Sequence, residues 1–212
     1  MRPNTASGCC FCEDIVLGGS GAPWDTVLHD SGHFIITPTK GALVPGWLLV
    51  VAKRHTLCSG ALFDSELAEL SDCLSTAKRM VRENFGEPTV FEHGPFESGT
   101  AVGCGIDHMH LHVVPLSFSL RKAANSSFPA IAWHSISDLS DTTSLFESQI
   151  DYGLVQEPIG GFFWCRLPFG TRQFFRRVIA AEVGIADQFD YSLFPHLANV
   201  TLTLKTLPHR SP

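Results

Sequence analysis

Apolar residues along the chain switch between two periods. Residues 33–37 (His-Phe-Ile-Ile-Thr) and 47–52 (Trp-Leu-Leu-Val-Val-Ala) are short β-rich runs, with Pro38, Gly41, Pro45 and Gly46 between them. Turn-forming residues between two such runs predict two strands that neighbour each other in one sheet. Over 62–85 the period changes. Leu67, Leu70, Leu74, Ala77 and Val81 recur at threes and fours, while Asp72, Lys78, Arg79 and Arg82 fall largely on other faces. This is the buried stripe of a helix, begun at Asp64 or Ser65 and stopped by Gly86 and Pro88. Strands at 89–92 and 108–114 follow, joined by a Gly-rich loop with no helix, and are therefore expected to run antiparallel. The order strand, strand, helix, strand, strand predicts an α+β fold: an antiparallel sheet with one principal helix packed on it.

The pattern weakens further along. Residues 116–130 are small and polar and read as a connector; 150–155 and 162–167 suit a hairpin around Gly160-Gly161; 171–183 suit a helix stopped by Gly184. These divide the chain into a first domain, 1–118, and a C-terminal α+β extension, 119–212. In the extension, Gln173, Arg176 and Arg177 read as a solvated helix face, and Trp133, Tyr152 and Trp164 as packing aromatics.

Composition narrows the class. The 212 residues are 44% hydrophobic and 17% charged, which excludes a disordered chain. A chain of this length buries roughly 70% of its unfolded surface and needs no staple to have a core. The 15 basic and 21 acidic residues give a formal charge of −6. That balance argues against a general nucleic-acid or anionic-membrane surface, though not against a small anionic ligand. No apolar run reaches the roughly 18 residues of a membrane span, and residues 1–13 lack the apolar segment of a signal peptide. Seven cysteines, three of them at Cys9, Cys10 and Cys12, favour a reducing, cytoplasmic setting and a metal or redox role over a disulfide framework.

The chemistry concentrates in His108-Met109-His110-Leu111-His112-Val113-Val114. On a strand, alternate residues share a face, so the three imidazoles point one way and Met109, Leu111 and Val113 the other. Two residues of strand advance about 6.6 Å, which puts the outer pair about 13 Å apart. Three rings so splayed suit three separate tasks better than one ion bound by all. Three polar rings on one patch of an apolar strand cost desolvation unless the patch faces a site. The patch on these residues alone is open to an enzyme's active site, to a catalytically silent binding module, or to an oxygenase with metal on two of the histidines. At the N-terminus, Cys9 and Cys12 have the Cys-x-x-Cys spacing that lets two thiolates share one zinc, with free or redox-active thiols as the alternative.

His-x-His-x-His followed by two apolar residues resembles the signature of the histidine-triad (HIT) superfamily of nucleotide hydrolases and transferases. Upstream, Pro45-Gly46-Trp47-Leu48-Leu49-Val50-Val51-Ala52-Lys53-Arg54-His55 is similar to that family's Pro-Gly-His-x-Leu-Val-x-Pro-Lys-x-His stretch. The resemblance covers about residues 9–116. It implies a HIT-like sheet and a nucleoside phosphate or dinucleotide substrate, with a catalytically silent nucleotide- or RNA-end-binding module as the alternative to an enzyme. His110 would attack the α-phosphorus to give a covalent nucleotidyl-histidine, and His112 would bind phosphate oxygens. It also implies phosphate contacts from the backbone of Gly103, Cys104 and Gly105 and from Glu92, where many members carry Asn or Gln. Zinc-bearing members imply a structural zinc on Cys9, Cys12, His55 and His108, and the family's habit implies a homodimer. Trp47, where small members carry histidine, leans toward branches resembling galactose-1-phosphate uridylyltransferases or diadenosine-tetraphosphate phosphorylases.

Overall fold

The computed structural model describes residues 8–17, 20–100, 105–167 and 170–207. Among these, eight strands form one antiparallel sheet: β1 (His29–Asp30), β2 (Phe34–Pro38), β3 (Leu48–Ala52), β4 (Pro88–Gly94), β5 (His110–Pro115), β6 (His134–Ile136), β7 (Tyr152–Gln156) and β8 (Phe162–Arg166). Their spatial order is β1-β2-β3-β5-β4-β7-β8-β6. The helices are α1 (Cys10–Leu17), α2 (Asp64–Asn84), α3 (Leu120–Ser127), α4 (Thr142–Glu147), α5 (Phe174–Glu182) and α6 (Leu197–Thr206). No helix among the described residues is long and apolar enough to cross a membrane.

The two expected strand pairs form as read: Ile35 lies opposite Val51, and Val90 opposite Val113, both antiparallel. β5 is inserted between β3 and β4, in register Leu48 to Val113 and Val50 to Leu111. The histidine strand therefore has a hydrogen-bonded neighbour on each side. β7 continues the sheet beyond β4, with Glu92 opposite Leu154, and pairs with β8 as the expected hairpin. The extension thus lengthens the sheet of the first domain.

Alternation divides the sheet into two apolar faces. Met109, Leu111 and Val113 pack with Val50, Val90 and Leu154 under α2, whose Leu67, Leu70, Leu74, Ala77 and Val81 are buried there. The periodicity read for α2 holds, but its start is capped differently. Phe63 precedes the helix, and its backbone N–H donates to Glu66 Oε2 at 2.9 Å, while Glu66 also binds Arg54. The other face packs Ile35, Leu49, Val51, Phe91 and Val155 against Phe174, Phe175, Val178 and Ile179 of α5 and Leu120, Ala123 and Ala124 of α3.

α3 corrects the expected connector. Leu120, Ala123 and Ala124 are buried at helical spacing, and Ser119 Oγ accepts the Lys122 N–H at 3.2 Å as an N-cap. Small residues concealed that stripe in the sequence.

The extension is also latched to the β2–β3 turn. Gly41 N–H donates to the Pro195 carbonyl at 2.9 Å, Gly46 N–H to Thr203 Oγ1 at 2.8 Å, and Asn199 Nδ2 to the Ala42 carbonyl at 2.8 Å. Gly41 has φ +75°, and a Cβ there would lie 2.5 Å from Tyr191 Cβ and 2.8 Å from an Arg176 guanidinium nitrogen.

The α2 face supplies the stability that holds a polar strand in place. Leu70 is fully buried there, and Leu70→Ala is expected to lower the unfolding free energy by about 2–5 kcal/mol, read as a reduced urea midpoint with an unchanged slope.

Candidate functional site

All three histidines of the motif are buried and lie on the α5 side of the sheet. β5 begins at His110, so His108 stands just before the strand, where Met109 N–H donates to the Thr56 carbonyl at 2.6 Å. Each ring has its tautomer assigned by a partner. His108 Nε2–H donates to the Ala52 carbonyl at 2.6 Å, which leaves Nδ1 as the lone-pair nitrogen. His110 Nδ1–H donates to the His108 carbonyl at 2.6 Å, which makes Nε2 its lone-pair nitrogen. His112 is the reverse: the Trp47 indole N–H donates to Nδ1 at 3.0 Å, so in the neutral ring the proton sits on Nε2. That Nε2 is buried and has no hydrogen-bond partner.

Burial pushes the pKa values of His110 and His112 below the ordinary imidazole value, His112 strongly so; neighbouring His110, His93 and Arg176 push His112 the same way. The backbone bond to His108 and the Glu92 carboxylate oppose the shift at His110. Both rings are therefore neutral at pH 7. They stand 4.8 Å apart between centroids, and His112 also stacks on Phe91 at 4.3 Å. Beside them opens a cavity of about 550 Å³, lined by His110, His112, Phe11, Trp24, Ile35, Thr37, Lys40, Leu49, Lys53, Arg176 and Tyr191 among others. That volume suits a small organic ligand.

Cys9, Cys12, His55 and His108 come together at the edge of this site, with one ligand atom from each lying within 4.8 Å of all the others. His108 Nδ1 is 3.4 Å from Cys9 Sγ and 3.5 Å from Cys12 Sγ, and His55 Nδ1 is 3.4 Å from Cys12 Sγ. Tetrahedral zinc, with Zn–S near 2.3 Å and Zn–N near 2.05 Å, calls for S···N edges of about 3.6 Å, so the donor set fits zinc. Burial holds His108 down at about 4, neutral as a ligand must be, and pushes the Cys9 thiol up to about 11. A bound dication favours the thiolate. The His108–Ala52 bond is the outer-shell contact that orients a ligating imidazole. Cys10 is exposed and its sulfur is not in this set, and neither is His110 or His112. The oxygenase alternative, which needs metal on two of the motif's histidines, therefore has no such cluster among the described residues.

Two other expectations fare differently. Glu92 does not reach the cavity. It lies opposite Leu154 on the α2 side, where its carboxylate accepts from Ser59 N–H at 2.7 Å, Ser59 Oγ at 2.6 Å and Tyr152 OH at 3.0 Å. Its neighbours Phe91 and His93 face the histidines instead. Gly103 and Cys104 lie outside the described residues; Gly105 is described, with φ +96°.

Three contributors were not read from the sequence. Phe11, between the two zinc-type cysteines, sets its ring edge-on to both His108 (5.5 Å) and His110 (5.3 Å). Trp47 is fully buried and fixes the His112 tautomer; a bulky donor replacing histidine in the Pro-Gly-x stretch was the available signal. Arg176, expected on a solvated face, is 2% exposed and lines the cavity, whereas Arg177 is exposed.

No protein-family model matches the chain, and no curated protein matches it. Solved structures with a similar fold include histidine-triad or HIT family proteins, among them one described as Zn-bound. A HIT family hydrolase from Clostridium thermocellum is 18% identical with a TM-score of 0.43, over 54% of this chain and 96% of that one. A Zn-bound histidine triad family protein from Mycobacterium smegmatis is 17% identical with a TM-score of 0.40, over 67% and 92%. A hypothetical protein from Leishmania major is 20% identical with a TM-score of 0.45, over 54% and 77%.

Two outcomes test this geometry. The chain is expected to take up one zinc per molecule by elemental analysis; Cys12→Ser abolishes uptake and lowers the melting temperature, whereas Cys10→Ser does neither. In Trp47→Phe, which keeps the bulk but removes the donor, the ¹⁵N imidazole shifts of His112 are expected to move from one fixed tautomer toward an average of two.

Proposed function

We propose that this chain is a histidine-triad enzyme that transfers a nucleotidyl group from a nucleoside phosphate or dinucleotide through a covalent intermediate on His110. One observation carries the reading. Two neutral, buried imidazoles lie side by side at a ligand-sized cavity, with the lone pair on Nε2 of His110 and the proton on Nε2 of His112.

The roles follow from those protons. His110 Nε2 attacks the α-phosphorus, an N–P bond forms, and the bond to the leaving group breaks. His110 Nδ1–H stays on the His108 carbonyl and stabilises the positive charge that develops on the ring. His112 Nε2–H is a donor for a non-bridging phosphoryl oxygen, where the transition state gathers negative charge. Water or another acceptor then attacks the same phosphorus, the N–P bond breaks, and the neutral imidazole returns. Splitting one displacement into two lowers each barrier.

In this reading zinc on Cys9, Cys12, His55 and His108 is structural. Two thiolates and two imidazoles complete a tetrahedral shell, and when bound the ion supplies a fixed anchor for the segment before β5. The peptide step from His108 to His110 carries that anchorage to the nucleophile.

Mass spectrometry after mixing the chain with a nucleotide panel is expected to find one nucleotidyl adduct on the β5 peptide. His110→Asn should fold, still bind nucleotide, and lose adduct and turnover by roughly three orders of magnitude or more. Binding without any adduct in the native chain would favour the silent binding module instead.

A further inference from the structure

The connection from β3 to α2, residues 53–63, belongs to no strand, yet it delivers two things to the histidine motif. His55 brings its Nδ1 to the cluster with Cys9, Cys12 and His108. The Thr56 carbonyl accepts the Met109 N–H at 2.6 Å, on the residue between His108 and His110.

What holds this connection is polar. On its outer side Arg54 donates to both oxygens of Glu66, at 2.8 and 2.6 Å, and to the Ala61 carbonyl at 3.3 Å. On its inner side Ser59, fully buried, gives its N–H and its hydroxyl to the two oxygens of Glu92, at 2.7 and 2.6 Å. Tyr152 OH completes the knot: it donates to Glu92 Oε2 at 3.0 Å, lies 3.0 Å from Ser59 Oγ, and accepts the Gly60 N–H at 3.3 Å. Gly60 is pressed on α4, where a Cβ would collide with the Thr142 carbonyl and with Phe146.

A carboxyl is a costly residue for this place. Glu92 is 1% exposed on the α2 side and forms no ion pair among the described residues. Hydrogen bonds offset the cost of burying it without making it better than an apolar side chain for packing alone. Two of its three bonds go to one residue of the connection, and its own strand is paired on both sides, with β5 and with β7. Glu92 is thus a fixed point from which a segment outside the ladder is held.

We infer that Glu92 is a positioning residue: it anchors Ser59 to β4, and so fixes the connection that presents His55 to the metal cluster and Thr56 to the histidine motif. The inference rests on the zinc site of the proposed function for one readout; the Met109 bond supplies the other without metal.

Zinc affinity of the full chain, by competition with a chromophoric chelator, and exchange of the Met109 amide, by NMR, test it. Glu92→Ala is expected to weaken zinc binding about tenfold and to speed Met109 exchange about tenfold beyond any acceleration of the α2 amides. Glu92→Gln, whose side-chain carbonyl can still accept the Ser59 N–H, should stay within about threefold of native on both. Glu92→Asp, which keeps the charge and loses the reach, should follow Glu92→Ala. Leu70→Ala, which weakens the same core without touching the connection, should leave zinc affinity native. If Glu92→Ala fails to fold, Ser59→Ala, which removes one hydroxyl, carries the test through a loss of about threefold or more on both readouts.

Native zinc affinity with native Met109 exchange in Glu92→Ala would overturn the inference. So would an equal loss of affinity in Leu70→Ala, which would reduce Glu92 to core stability, or a Glu92→Gln as damaged as Glu92→Ala. A native chain that takes up no zinc sinks the metal part of the proposed function; faster Met109 exchange in Glu92→Ala then upholds the anchor, and native exchange ends it. The expected losses together with no His110 adduct in the native chain sink the enzymatic reading and leave the anchor standing.

Discussion

Three imidazoles taken out of water must each be told which nitrogen keeps its proton, and in this fold one strand gives two of the three instructions. The Ala52 carbonyl fixes His108 and the Trp47 indole fixes His112, and these residues end and immediately precede β3. The third instruction is internal to the histidine segment, from the His108 carbonyl to His110. The chemistry thus depends on the β3–β5 register. A slip of one residue would turn every ring of β5 to the opposite face and separate each from its partner. What secures the register is apolar: Met109, Leu111 and Val113 are fully buried beneath α2, and burying side chains of this kind is worth about 1.5–3 kcal/mol each.

The sheet therefore has a division of labour by face. The α2 side is a conventional core with one polar island, Glu92 with Ser59 and Tyr152, whose carboxyl is pushed above its ordinary range by burial. The α5 side carries polar rings among aromatics, where His93 Nε2 accepts the Phe175 N–H at 3.3 Å. Elements from the extension close that second side, so the cavity is built jointly by the histidine strand and by residues more than sixty positions later in the chain.

Much of this was legible in the sequence because it depends on period. Alternation gave the common face of the three histidines, and recurrence at threes and fours gave α2. The metal quartet was not a matter of local pattern: Cys9, Cys12, His55 and His108 are joined only by the fold, and their association came from family resemblance. Glu92 was misplaced despite a usable signal, since its parity differs from that of Phe91 and His93 on the same strand. Arg176 was misread for a different reason. Beside Arg177 on an amphipathic helix it has the look of a solvated residue, and distant parts of the chain, Gly41 and Trp47 before it and Phe189 and Tyr191 after it, take it out of water. Helical period does not report what a distant stretch of chain covers.

Gly41 carries a consequence of its own. Its bare α-carbon lets the sheet's turn approach the covering segment, against Tyr191 and Arg176 at once. One added methyl there would press the roof away from its foundation, outside the histidine strand and the cluster of Cys9, Cys12, His55 and His108. Closure of the cavity and placement of the histidines are thus separable in this architecture, and the dividing line runs through a single hydrogen atom.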